Sequence, residues 1–93
     1  MNVKIQRGFR VFINKSNVGT NNLIGTRLAE KRKALNLSQK KFADRLQLLG
    51  LDVDKNAIQR IECGKRFVTD IELTFICRAL GTNPNELLQW KNK

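Results

Sequence analysis

Apolar residues recur at helical spacing along most of the chain, beginning at residue 24. Ile24, Leu28 and Leu35 follow one another at intervals of four and seven residues, which predicts an amphipathic helix. This helix should end near Asn36, because asparagine tolerates the left-handed conformation found just after helix C-termini. Ser38 is then the predicted N-cap of a second helix. The predicted inward residues of the second helix are Phe42, Ala43, Leu46 and Leu49.

A third helix is predicted after a short connection. Gly50 ends the second helix, and Asp54 is a suitable N-cap for a third that runs to Gly64. Val53 and Ile58 stand at the two hydrophobic-staple positions around this start. Within the third helix, the spacing of its isoleucines places one face inward and leaves the other to solvent.

Two further helices complete the predicted fold. Thr69 and Glu72 form a capping box, and Gly81 ends the fourth helix. Its apolar stripe consists of Leu73, Ile76, Cys77 and Leu80. Asn83 caps a fifth helix, with Pro84 in the first helical position. The pattern therefore predicts an all-α, compact five-helix domain over residues 23–93.

Residues 1–22 do not follow this pattern. Residues 9–13 contain β-branched and aromatic residues without helical spacing, and residues 14–17 are typical of a turn or coil. We interpret residues 1–22 as a basic N-terminal arm, either flexible or strand-like. A lone strand would be ordered only by packing on the core or by a second copy of the chain.

The distribution of charge along the chain indicates what kind of partner the protein binds. The 93 residues contain 18 Lys and Arg against 8 Asp and Glu, giving a formal net charge of +10. Residues 1–22 carry four basic side chains and no acidic one, and residues 23–50 carry seven against two, whereas residues 67–93 are balanced. Such segregation is typical of a surface that binds a polyanion, although a basic surface that serves solubility is the alternative.

Composition excludes several classes of site. Histidine is absent and the cysteines are two, Cys63 and Cys77, so neither a Cys/His zinc site nor a histidine-based triad can form. The carboxylates show no paired spacing, and we expect no metal, no cofactor and no enzymatic activity. The cysteines could form one bridge, but buried thiols in a reducing cytoplasm fit better. No apolar run approaches the roughly 18 residues that span a bilayer, so no membrane partner is expected.

The outward face of the third helix carries the candidate chemistry. With Ile58 and Ile61 inward, Asn56, Gln59 and Arg60 point outward. Asn and Gln can pair with adenine through two hydrogen bonds, and Arg can do so with guanine, which predicts base reading in a DNA major groove. An ordinary solvated polar face would look similar.

The flanks of this helix supply the predicted phosphate contacts. The second helix begins with amide groups and lysines where the positive end of the helix dipole attracts an anion, and two cations follow the third helix. The predicted phosphate-binding residues are Gln39, Lys40, Lys55, Lys65 and Arg66.

The order of these residues resembles that of the Cro/repressor-type, XRE-like helix-turn-helix proteins over residues 23–90. The matching motifs are Ile24-Gly25, Arg32, Asn36-Leu37-Ser38-Gln39, Phe42-Ala43, Ile58, Arg60-Ile61-Glu62-Cys63-Gly64-Lys65, Ala79-Leu80-Gly81 and Glu86-Leu87-Leu88. The resemblance implies a DNA-binding domain that acts as a dimer on a two-fold operator, with Gln39 and Lys65 near the DNA backbone.

The resemblance also implies that Arg32 pairs with Glu62. Helical geometry gives the same expectation, because Glu62 lies close to the core side of its helix and would be costly to bury alone.

The chain departs from the family in three ways. Eleven residues separate Leu46 from Ile58, which we interpret as a longer second helix and a longer loop. Lys41 stands where an acid is common, and the arm is additional.

Together these features predict a sequence-specific double-stranded DNA-binding transcriptional regulator in the cytoplasm, forming a homodimer at least on DNA. The arm or the fifth helix with Trp90 could form the dimer contact, unless Trp90 caps the core. An antitoxin-like protein-interaction module with secondary DNA binding is the alternative. Its candidate protein contacts are Phe9, Phe12, Phe67 and Trp90.

Overall fold

The structure, a computed structural model, describes residues 19–88 and shows five α-helices there. They are α1 (Gly25–Ala34), α2 (Gln39–Leu49), α3 (Lys55–Glu62), α4 (Asp70–Leu80) and α5 (Pro84–Leu88). Residues 19–88 contain no strand, which confirms the predicted all-α, five-helix fold. The predictions for residues 1–18, including Phe9 and Phe12, and for Trp90 lie outside the described residues.

The predicted helix ends are found where local signals placed them. Asn36 has a φ of 60°, and Ser38 Oγ accepts a hydrogen bond from the Lys41 amide at 3.0 Å. Asp54 Oδ1 caps α3 through the Ala57 amide at 2.8 Å. The capping box of Thr69 at the start of α4 is complete. Each of these caps satisfies an amide that the first turn of a helix leaves without an intrahelical partner.

The core lies between the helices and is formed by large apolar side chains. The largest fully buried ones are Phe42, Ile24, Leu28, Leu46, Ile58, Ile61, Ile76 and Leu87. Leu35 was predicted to join them but is 43% exposed, because α1 ends at Ala34 and the apolar spacing continues past the helix. Leu37 packs against the core instead. The prediction that Leu35 is buried is therefore wrong.

Both cysteines carry free thiols, so the alternative of a bridge is wrong. Cys77 is buried as predicted, and burial raises the pKa of its thiol. Cys63 is exposed instead, because it is the C-cap of α3 on the outward side. Residues 19–88 contain neither a helix long and apolar enough to cross a bilayer nor a cluster of residues suited to a metal ion.

The connection between α2 and α3 is long but held in place. α2 extends to Leu49 as expected, and Gly50 turns the chain with a φ of 112°. Gln47 Nε2 donates to the Val53 carbonyl at 2.7 Å, which ties the connection back to α2. Val53 and Ile58 are both buried, as the staple pattern predicts. The extra residues therefore leave the start of α3 fixed.

Asparagines before α1 join the start of α1 to the end of α3. Asn22 Oδ1 accepts from the amides of Ile24 and Gly25 at 3.1 and 2.8 Å and so caps α1. Its Nδ2 donates to the carbonyls of Ile61 and Arg66 at 3.0 and 2.8 Å. Asn21 extends the same contact, since its backbone N–H donates to the Gly64 carbonyl at 2.8 Å.

Candidate nucleic-acid interface

α3 divides into a buried face and an exposed one. Ile58 and Ile61 are almost completely buried, whereas Asn56, Gln59 and Arg60 are all exposed. The three polar side chains are thus presented together along one surface of the helix, where the sequence placed them. Because the apolar face fixes the helix against the core, the polar face is left available to a ligand.

The cations that flank α3 lie at both of its ends. Lys55 is the first residue of the helix and is exposed. Lys65 follows the helix and is exposed, while its amide donates to the Arg60 carbonyl at 2.9 Å. Asn21 Nδ2 donates to the Lys65 carbonyl at 3.0 Å. The backbone of Lys65 is therefore anchored, and its ammonium group extends from a fixed position.

Arg66 is engaged by an acidic partner that the sequence did not indicate. Its Nη1 and Nη2 donate to Glu72 Oε1 and Oε2, each at 3.0 Å. These hydrogen bonds hold the pKa of the Glu72 carboxyl below its ordinary value, against the opposing effect of burial. The same contact raises the pKa of Arg66. The pair links the loop after α3 to the first turn of α4.

The N-terminus of α2 presents lysines together with helix amides. Lys40 and Lys41 are exposed in its first turn, where no acidic residue is present. Lys40 Nζ contacts Asp44 Oδ2 at 3.2 Å, one turn further along the helix. Both side chains are more than half exposed, so this pair is weak and solvent-screened. Lys40 can exchange Asp44 for another anion at little cost.

A buried ion pair connects α1 with the last residue of α3. Arg32 Nε donates to Glu62 Oε2 at 2.6 Å, and Nη2 donates to Oε1 at 3.0 Å. Each side chain is only 9% exposed. Arg32 Nη1 also donates to the Leu37 carbonyl at 2.7 Å, in the turn between α1 and α2. The structure therefore brings together the two residues expected to pair and adds a third anchoring point.

Gln39 makes a contact that sequence analysis did not anticipate. As the first residue of α2 it is half-buried, and its Nε2 donates to Glu62 Oε1 at 3.0 Å. The same carboxylate oxygen thus accepts from both Arg32 and Gln39. The start of α2, the end of α3 and the last turn of α1 meet at this one carboxylate.

Comparison with known proteins agrees with this geometry. A family model described as a helix-turn-helix matches residues 28–87, which is more than half of the chain. The chain belongs to the XRE-like helix-turn-helix family. No curated protein and no solved structure matches it. The match spans α2, α3 and the connection between them, and it makes the chain a DNA-binding helix-turn-helix regulator.

Gly25, the first residue of α1, has a packing role. A Cβ on Gly25 would lie 2.5 Å from the Ile61 carbonyl oxygen and 2.9 Å from that of Glu62. Only glycine allows α1 to approach the C-terminal turn of α3 so closely. The contact is invisible to helical periodicity, because glycine has no side chain to contribute to an apolar stripe.

Proposed function

We propose that this helix-turn-helix protein is a sequence-specific double-stranded DNA-binding transcriptional regulator that inserts α3 into the major groove. The observation that carries the proposal is the exposed polar face of α3. Asn56, Gln59 and Arg60 are solvated together while the opposite face is buried. These side chains match the hydrogen-bonding groups that adenine and guanine present in the major groove.

Phosphate contacts are proposed for the residues that surround α3. Lys40 and Gln39 lie at the start of α2, and Lys55 and Lys65 lie at the two ends of α3. Such contacts fix the register of a protein on the duplex and supply most of the salt-dependent affinity. Arg66 also belongs to this proposed set, although Glu72 already accepts one hydrogen bond from each of its two terminal nitrogens.

Substitution of Arg60 tests the assignment of base reading. Duplexes selected from a random pool define the preferred sequence, and fluorescence anisotropy then compares it with a scrambled duplex over a range of salt concentrations. Arg60→Ala should cost ~1–3 kcal/mol on the selected duplex and relax the preference at one position, with little change on the scrambled one. Equal losses on both duplexes would contradict a base-reading role.

Lys65→Ala serves as the matched phosphate variant in the same assay. It should weaken binding to every duplex alike and lower the salt slope by ~1. Arg78→Ala is the charge control, because Arg78 lies in the last turn of α4 beside the Phe75 ring and outside all proposed contacts. A similar loss for Arg78→Ala would show that net charge alone drives binding.

We further propose that two copies bind one two-fold operator. Helix-turn-helix dimers place their recognition helices ~34–36 Å apart, which is one turn of the DNA helix. Analytical ultracentrifugation on the selected duplex should show two chains per duplex, and duplexes with altered half-site spacing should bind one copy at a time. Binding of a single chain at all spacings would reject the dimer.

A further inference from the structure

The side-chain amide of Gln39 is held by the buried carboxylate of Glu62. Its Nε2 carries two protons, of which one points to Glu62 Oε1 at 3.0 Å. Among residues 19–88 the second proton has no acceptor. Gln39 is also the first residue of α2, next to the exposed Lys40 and to the first amides of the helix. Its second proton and these groups thus belong to the same helix terminus.

The carboxylate that holds Gln39 has little freedom to move. Glu62 Oε2 receives Arg32 Nε, and Oε1 receives both Arg32 Nη2 and Gln39 Nε2. The side chain is 9% exposed, so these hydrogen bonds form in a medium of low dielectric constant, where they are strong. The planar guanidinium group of Arg32 fixes the carboxylate, and the carboxylate in turn fixes the plane of the Gln39 amide.

We propose that Glu62 is a positioning residue for DNA binding, which holds one Nε2 proton of Gln39 and thereby directs the other toward a DNA phosphate. The proposal rests on the DNA-binding function proposed above. It gives the ion pair a role beyond stability, because the same carboxylate belongs to α3. The base-reading helix and the phosphate contact on α2 are then set in register by one shared group.

Nuclear magnetic resonance of the intact, isotope-labelled chain with a random-sequence duplex tests the proposal. In the free protein, the Gln39 Nε2 proton bonded to Glu62 should resonate downfield of the other one. On addition of the duplex, that proton should keep its position while the second proton shifts. If the first proton loses its downfield shift, Gln39 leaves Glu62 on binding and the proposal is overturned. It is also overturned if neither proton responds while the amides of α3 do.

The proposed function fails in a different way in the same experiment. If the duplex shifts no resonance in α2, α3 or the loop at Lys65, the chain does not bind DNA through this surface. Shifts in α3 without a response from Gln39 leave the DNA-binding function intact and reject the positioning role alone. The two failures are therefore distinguishable within one titration.

A double-mutant cycle provides a second, independent measurement. Gln39→Ala should weaken binding to every duplex by about tenfold or more, the usual effect of losing a hydrogen bond to a charged group, with an unchanged salt slope because the amide is neutral. Lys40→Ala is the contrast, since it should lower the slope by ~1. Adding Glu62→Gln to Gln39→Ala should cause no further loss of affinity.

Fully additive losses in this cycle would show that Glu62 acts only through the fold, which contradicts the proposal. Circular dichroism at the assay temperature verifies that each variant is folded. If Glu62→Gln does not fold, the titration of the intact chain decides the question without it.

Discussion

Replacement of Gly25 by alanine tests the close approach of α1 to the end of α3. The substitution sets two effects against each other. Alanine is favoured over glycine inside a helix by up to about 1 kcal/mol. However, the new Cβ would lie 2.5 Å from the Ile61 carbonyl oxygen. α1 and α3 would have to separate by nearly one ångström to reach the 3.4 Å at which ordinary contact begins.

The steric effect should win, because its partners are backbone atoms. A flexible side chain could rotate away from the new methyl group, whereas the carbonyls of Ile61 and Glu62 belong to the last turn of α3. Overpacking of this kind costs ~1–3 kcal/mol, and its cost should lie at the upper end here. After the gain in helix propensity, we expect a net loss of about 1–2 kcal/mol, or a fall in Tm of about 4–15 °C for a domain of this size.

Thermal and urea denaturation followed by circular dichroism measure this loss. Thr26→Ala is the matched control, since Thr26 is the next residue of α1 and is exposed. This control should leave the Tm unchanged or raise it slightly. A Gly25→Ala protein as stable as the parent, or more stable, would refute the close approach of α1 and α3.

Three further substitutions test other contacts. Arg32→Ala should destabilise the domain by ~3–5 kcal/mol because it leaves the Glu62 carboxylate buried and unpaired. Melting within a few degrees of the parent would contradict this. Asn22→Ala should cost about 2–4 kcal/mol, because it removes the cap of α1 and the two hydrogen bonds donated to carbonyls after α3 begins. Asn22→Ser should recover part of this loss. Equal Tm values for the parent and the two variants would argue against the contact. Because the pKa of Glu72 is lowered in the folded state, its pair with Arg66 should stabilise the protein above the unfolded pKa of ~4.3 and lose this effect as the pH falls through the lower folded value. Urea titrations from pH 6 to about pH 3 should therefore show a smaller loss for Arg66→Met than for the parent.

Local chemistry explains why the fold could be predicted from the sequence. Ser38, Asp54 and Thr69 cap helices through contacts with amides three residues away, so their signals lie within a few positions. The exposed face of α3 likewise follows from the spacing of Ile58 and Ile61 within one helix. The error at Leu35 arose because periodicity carries no information about where a helix stops.

Contacts between distant segments could not be predicted in the same way. Asn22 bonds to carbonyls 39 and 44 residues further along the chain, and no pattern around it distinguishes it from an ordinary loop asparagine. The pair of Arg66 with Glu72 spans only six residues, but it depends on how the loop after α3 meets α4, which helical spacing does not describe. The link from Gln39 to Glu62 depends on the angle between α2 and α3, which their separate sequences do not determine.

Local and distant contacts together explain how α3 keeps a fixed position despite the longer connection before it. The start of α3 is held by the Asp54 cap and by Gln47, which fastens the connection to α2. Its end is held by Asn22 and by the pair of Glu62 with Arg32. Side chains at the two ends and on the buried face thus maintain the position of α3. Because its outer face takes no part in this support, substitutions there should leave the stability of the domain nearly unchanged, and under the proposed function they would change which DNA sequence is read.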